Sequence, residues 1–174
     1  KRSIMHVARS FDINRPGTRP AKLRGGVIGG SIVEGEFAEG DEIIIGPGRK
    51  IENGNKATWE PIEAVVSSMQ GGGLNLKSMH AGGLCGMATF LDPSITTSDN
   101  LSGQVVARKG DLPEVRSKVT INLNLMSHMV AGDGEAPEKI HPLRNNEMLM
   151  LNVATATSVG VTRNAEKTRT ELEL

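Results

Sequence analysis

Apolar and polar residues alternate in short runs along most of this chain. The clearest run is KVTINLNLM (118–126): Val119, Ile121, Leu123 and Leu125 share one face, Thr120, Asn122 and Asn124 the other. A period of two predicts a half-buried strand. EMLMLNVATA (147–156) predicts another, with Leu149, Leu151 and Val153 on one face, and TRTELEL (168–174) alternates Leu172 and Leu174 with Glu171 and Glu173. Further strands are expected in IMHVARSFDI (4–13), GGVIGGSIVEG (25–35), EFAEGDEIIIGPG (36–48), PIEAVVSSMQ (61–70), CGMATFL (85–91) and around Val105 and Val106.

Turn residues punctuate these runs. NRPGTRPAK (14–22) carries Pro16, Gly17 and Pro20, which forbid regular structure. Gly40 and Asp41 form a corner, and Pro47-Gly48 is expected to stop the strand through Ile43, Ile44 and Ile45. Residues 49–60 read as a polar hairpin tip turning at Asn53-Gly54. The paired glycines of GGVIGG predict a bulge or a close backbone approach. GGGLNLKSMHAGGL (71–84) reads as a loop, Asp92-Pro93 as a turn, and VAGDGEAPEKIHPLRNN (130–146) as a long loop. No segment has helical periodicity. The pattern predicts an all-β chain of two consecutive small antiparallel β-barrels, with a boundary near Pro113: 1–113 and 114–174. The sequence stops mid-pattern at Leu174, so the second barrel is expected to be truncated at its C-terminal end.

Composition narrows the function. The 174 residues carry 20 Lys and Arg and 20 Asp and Glu, so no overall field attracts nucleic acid or a membrane. The distribution is uneven. Residues 1–24 hold seven bases against Asp12, and residues 34–63 hold eight acids against three bases. These segments either orient the chain on a polyanion or are two solvated loops. The aromatic side chains are Phe11, Phe37, Trp59 and Phe90, too few for a base-stacking platform. The single cysteine, Cys85, lies in the apolar run LCGMATF and reads as a small core residue in a reduced, cytoplasmic setting. No apolar run approaches the ~20 residues of a membrane span, and no signal-peptide pattern follows Lys1.

Catalytic motifs are missing from the sequence. His6, His80, His128 and His141 are far apart, and Cys85 has no partner at metal-ligand spacing, so no metal is expected. There is no GxSxG elbow, no GxxxxGK[ST] loop and no Asn-Lys-x-Asp guanine reader. An Asp/His site pairing Asp133 with His141 rests on proximity alone. The residues read as a binding module and not an enzyme.

Five blocks carry a resemblance: RSFDINRPGT (9–18), GGVIGGSIVEG (25–35), GDEIIIGPG (40–48), AGGLCGMATFLDPSITTSDNLSGQVV (81–106) and NNEMLMLNVATATSVGVT (145–162). Together they resemble the gamma subunit of archaeal and eukaryotic translation initiation factor two, in an archaeal form. The barrel blocks alone also resemble elongation factors, so the alternative is the barrels of a specialised elongation factor carrying another aminoacyl-tRNA; the SFDxNxPG block opposes it.

The resemblance implies the second and third domains of the factor, without the GTP-binding domain. No cofactor is then expected in this chain; GTP and magnesium belong to the complete protein, which is a GTPase. The implied partners are methionylated initiator tRNA, the alpha subunit, the small ribosomal subunit and the factor's own GTP-binding domain, with no membrane; the beta-subunit contact should be lost. For the tRNA aminoacyl end the matched blocks point to Val66, Ser68 and Met69 and to the turn bearing Gly82, Gly83, Leu84 and Gly86. A plain barrel corner is the other reading of that turn. Arg108 and Lys109 are candidates for acceptor-stem phosphates, or solvated loop bases. Arg9, Phe11, Asp12, Asn14 and Arg15 are candidates for alpha-subunit docking; alternatively Phe11 is core and the charges solvate the loop.

Overall fold

A computed structural model describes residues 2–54, 56–129 and 139–174. The chain divides into two compact units. One runs to Val115 and takes in Ala154–Ala156; the other comprises Arg116–Val153 and Thr157–Leu174.

The first unit contains β1 (Ile4–Phe11), β2 (Val27–Glu34), β3 (Glu36–Ala38), β4 (Glu42–Asn53), β5 (Lys56–Gly71), β6 (Leu74–Leu76), β7 (Ser78–His80), β8 (Leu84–Thr89) and, after the one-turn helix α1 (Pro93–Thr96), β9 (Val105–Arg108). Six strands pair antiparallel in the order β4-β9-β1-β2-β8-β5, and β5 returns to β4, so the barrel closes. Closure leaves those six strands no free edge. Alternate positions fill the interior: Met5, Val7, Ile28, Ile43, Ile45, Val66, Met69, Met87 and Val106 are fully buried. Cys85 joins them, as its apolar run predicts, and burial pushes its thiol up to about 11. The β3–β7 ribbon caps the barrel with Phe37, which is also fully buried.

The loop expected over 71–84 contains β6 and β7. Three-residue strands are too short to show a period, so alternation cannot announce them. Pro47-Gly48 does not stop β4. The strand continues to Asn53 through a register shift between Ile45 and Arg49. The Gln104 amide makes this possible: its oxygen accepts from Gly48 N at 2.9 Å and its nitrogen donates to Gly48 O at 3.1 Å. A side chain thereby replaces the missing ladder bonds. Asp92-Pro93 opens α1, with Asp92 Oδ1 accepting from Ser94 N at 2.9 Å as the N-cap.

The second unit contains β10 (Lys118–Asn122), β11 (Met148–Val153), β12 (Ala156–Arg163) and β13 (Arg169–Glu173), in the order β10-β13-β12-β11. Val119, Ile121 and Leu123 are half-buried, as the alternation predicts, but β10 ends at Asn122 and Leu125 is exposed. Leu172 is buried, whereas Leu174 and Val153 are exposed. β12 went unread because only Gly160 and Thr162 alternate inward on it, neither of them a strong apolar marker. The architecture is all-β: a closed six-stranded barrel and a second, partly formed sheet.

Candidate functional site

A groove of 410 Å³ opens on the outer wall of the barrel, where the ends of β5 and β8 meet the loop between β1 and β2. Two serines form part of its floor. The β5–β8 register shifts between Val66 and Ser68, so Ser67 and Ser68 both line the groove while Val66 and Met69 turn inward. Ala88 faces Ser68 across the ladder. Beyond Thr89 the strand ends, and Phe90 stands out from the wall, 74% exposed.

The loop supplies the other wall through Ile13, Leu23 and Arg24. Ile13 and Leu23 are exposed apolar side chains, 43% and 46% accessible. Gly25 and Gly26 bring the loop's end against β8. A Cβ at Gly25 would lie 1.9 Å from Thr89 O, and one at Gly26 would lie 2.2 Å from Thr96 Oγ1. Gly26 O accepts from both Thr89 N (3.0 Å) and Thr89 Oγ1 (2.8 Å). This is the close approach that the glycine pairs predict.

The loop itself has little backbone ladder. Asn14 holds it: Nδ2 donates to Arg24 O at 2.8 Å, and Oδ1 accepts from Arg24 N at 2.8 Å. Asp12 Oδ1 accepts from Asn14 N (2.7 Å) and from Asn14 Nδ2 (2.6 Å). No ion pair engages Arg24 among the described residues.

The structure gathers only part of the expected set. Ser68 lines the groove, but Val66 and Met69 are core side chains. Gly82, Gly83 and Leu84 lie at the other end of β8, with Leu84 four residues, roughly 13 Å, from Ala88. Gly86 lies between, opposite Gly29 on β2 and Gln70 on β5. Arg108 is held by Asp41 at 2.9 Å and Lys109 by Glu63 at 3.2 Å, and neither lines the groove. Phe11 is 41% exposed rather than core. Arg9 pairs with Asp99 at 2.8 Å, Asp12 and Asn14 are spent within the loop, and Arg15 is exposed. Asp133 lies outside the described residues. Sequence reading missed Ile13, Leu23, Arg24 and Phe90 as one surface; the signals on offer were the Gly25-Gly26 pair and an aromatic ending an apolar run.

No group of three or more His, Cys, Asp or Glu side chains is placed to hold a metal ion among the described residues. Nor is any helix among them long and apolar enough to cross a membrane. A closed barrel with an outward, mostly apolar groove, followed by a second, partly formed sheet, defines the class: an all-β protein of two consecutive β units. Residues 117–174 match the family model described as "Initiation factor eIF2 gamma, C terminal". Over 170 residues, 98% of the chain, it is 48% identical to translation initiation factor 2 subunit gamma of Methanocaldococcus jannaschii and of Methanococcus aeolicus. Identity to the same subunit of Methanopyrus kandleri is 45% over the same span. The chain belongs to the gamma-subunit family of translation initiation factor 2. It spans about two-fifths, 41%, of the length of these relatives.

Proposed function

We propose that this chain supplies the barrel surfaces with which the complete factor delivers methionylated initiator tRNA to the small ribosomal subunit. On this reading the chain binds and does not catalyse, and GTP and magnesium act in the complete subunit. The groove beside Ser68 takes the aminoacylated 3′ end of the tRNA. The observation that carries this is chemical: an exposed ring, two exposed aliphatic side chains and an exposed arginine with no ion pair among the described residues converge on one 410 Å³ concavity. That volume lies in the range of ligand sites. Phe90 offers a face for the terminal adenine. Ile13 and Leu23 suit the unbranched thioether chain of methionine. Arg24 is free to reach the terminal phosphate, whereas Arg108 and Lys109 must first leave Asp41 and Glu63. Of the turn at Gly82, Gly83, Leu84 and Gly86, only backbone contacts further along the tRNA end remain within reach.

Phe11, the last residue of β1, and Arg15 are exposed and lie outside the groove's lining; with the Arg9–Asp99 pair they are the proposed docking surface for the alpha subunit.

One experiment separates the two surfaces. In the full-length, GTP-loaded subunit, Ser68→Trp fills the groove and is expected to lower affinity for methionylated initiator tRNA at least about tenfold, leaving alpha-subunit capture intact. Phe11→Ala is expected to do the reverse. Unchanged tRNA affinity in Ser68→Trp overturns the groove assignment, and unchanged alpha capture in Phe11→Ala overturns the docking assignment.

A further inference from the structure

We infer that Asn14 is a positioning residue for the tRNA groove, acting through Arg24 and not through a partner protein. The inference rests on the aminoacyl-end reading of the groove.

The groove's apolar wall is carried by an irregular segment. Ile13 and Leu23 stand near its two ends, with Pro16, Gly17 and Pro20 between them. Prolines supply no N–H, so this segment cannot be fixed by a ladder. Its internal bonds are local: Thr18 N to Arg15 O at 3.1 Å, and Lys22 N to Arg19 O at 2.8 Å. Such turns shape the loop but do not join one end to the other.

Asn14 makes that join. Its amide takes both the N–H and the C=O of Arg24, as a neighbouring strand would. The orientation of the amide is fixed by its surroundings. Nδ2 faces two acceptors, Arg24 O and Asp12 Oδ1, while Oδ1 faces the Arg24 N–H donor. Reversing the amide would set oxygen against two oxygens. From Arg24 the connection continues into Gly25 and Gly26, which are locked to Thr89 at the end of β8. Phe90 follows directly. Asn14 thereby ties the Ile13 and Leu23 wall to the strand that carries the facing ring, although its own side chain is not among the groove's lining.

Asn14→Asp is the sharp test, since it keeps the shape and replaces the Nδ2 donor by an oxygen facing two acceptors. In the full-length, GTP-loaded subunit it is expected to weaken methionylated initiator tRNA binding about tenfold, and uncharged tRNA binding with it, because Arg24 and Phe90 would meet the terminal phosphate and adenine of both; the melting temperature and capture of the alpha subunit stay unchanged. Asn14→Ala, which removes the join without adding charge, should show the same selective loss in smaller measure and serves if Asn14→Asp fails to fold. A general defect in folding would lower the melting temperature and alpha-subunit capture along with tRNA affinity, and that outcome overturns the inference. If alpha capture is lost instead, Asn14 is a docking residue and the inference is wrong. Ser68→Trp is run alongside: if it lowers charged-tRNA affinity and neither Asn14 variant does, the positioning role alone falls; if Ser68→Trp has no effect, the groove reading falls and takes this inference with it.

Discussion

Asp99 shows how one side chain can organise the barrel's rim. It sits in the left-handed region, at φ 58°, and its Oδ1 accepts from Arg9 Nε at 2.8 Å and Ser10 N at 2.9 Å. The Arg9 side-chain hydrogen bond, followed by the Ser10 N–H, holds its carboxyl below the usual carboxylate range. A carboxyl lowered on folding stabilises the native state above its unfolded value near 3.8. That contribution is lost as pH falls through the lower folded value. Thermal melts of the wild type and Asp99→Asn should therefore differ at pH 7 and converge as pH drops below about 4. A constant gap across that range would show that the carboxyl charge is not the stabilising feature. Asparagine tolerates the left-handed backbone, so the comparison isolates charge.

At the scale of elements, the sequence was most legible where period two persisted. β1, β2 and β8 fall within two residues of the expected runs, whereas β5 begins at Lys56, five residues before the expected 61–70 and inside what reads as a polar hairpin tip over 49–60. It was least legible at β3–β7 and at the bend in β4. Phe37 is one of three phenylalanines in the chain and the only aromatic fully buried. It closes one end of the barrel from a three-residue strand, where no period can show which face is inward. Phe37→Ala would leave a ring-sized cavity at that end and is expected to cost about 3–5 kcal/mol in denaturant titration. A loss below 1 kcal/mol would mean that the ribbon collapses freely and does not cap the core. The β4 bend teaches a related lesson. Pro47-Gly48 has the composition of a stop, and the strand survives it only because Gln104, 56 residues away along the chain, bonds both backbone groups of Gly48.

Across the whole molecule, burial is unequal. The fully buried apolar core is drawn almost wholly from the first unit, and Leu172 is the one such side chain of the second unit among the described residues. Local opening is cheapest where few apolar contacts must be broken. Native-state amide exchange of this chain should therefore show β1, β2 and β8 protected by roughly two orders of magnitude more than β10 and β11. Equal protection in the two units would contradict a core confined to the barrel.

Local alternation was enough to determine the class. Period two, glycine and proline corners and the shortage of helical periodicity dictate strands wherever one face meets a core, because side-chain direction along an extended backbone is a local property. The pairs at Gly25-Gly26 likewise announced a close approach, since only a residue without Cβ permits it. The groove was decided by tertiary structure. Its walls come from Ile13 and 23–25, 67–68 and 88–90; the last two meet through the β5–β8 register, the loop reaches them through Gly25-Gly26 against Thr89, and its shape depends on an asparagine amide standing in for a strand. Register and side-chain substitution for backbone bonds depend on what lies across the sheet, and no local pattern along the chain encodes that neighbour.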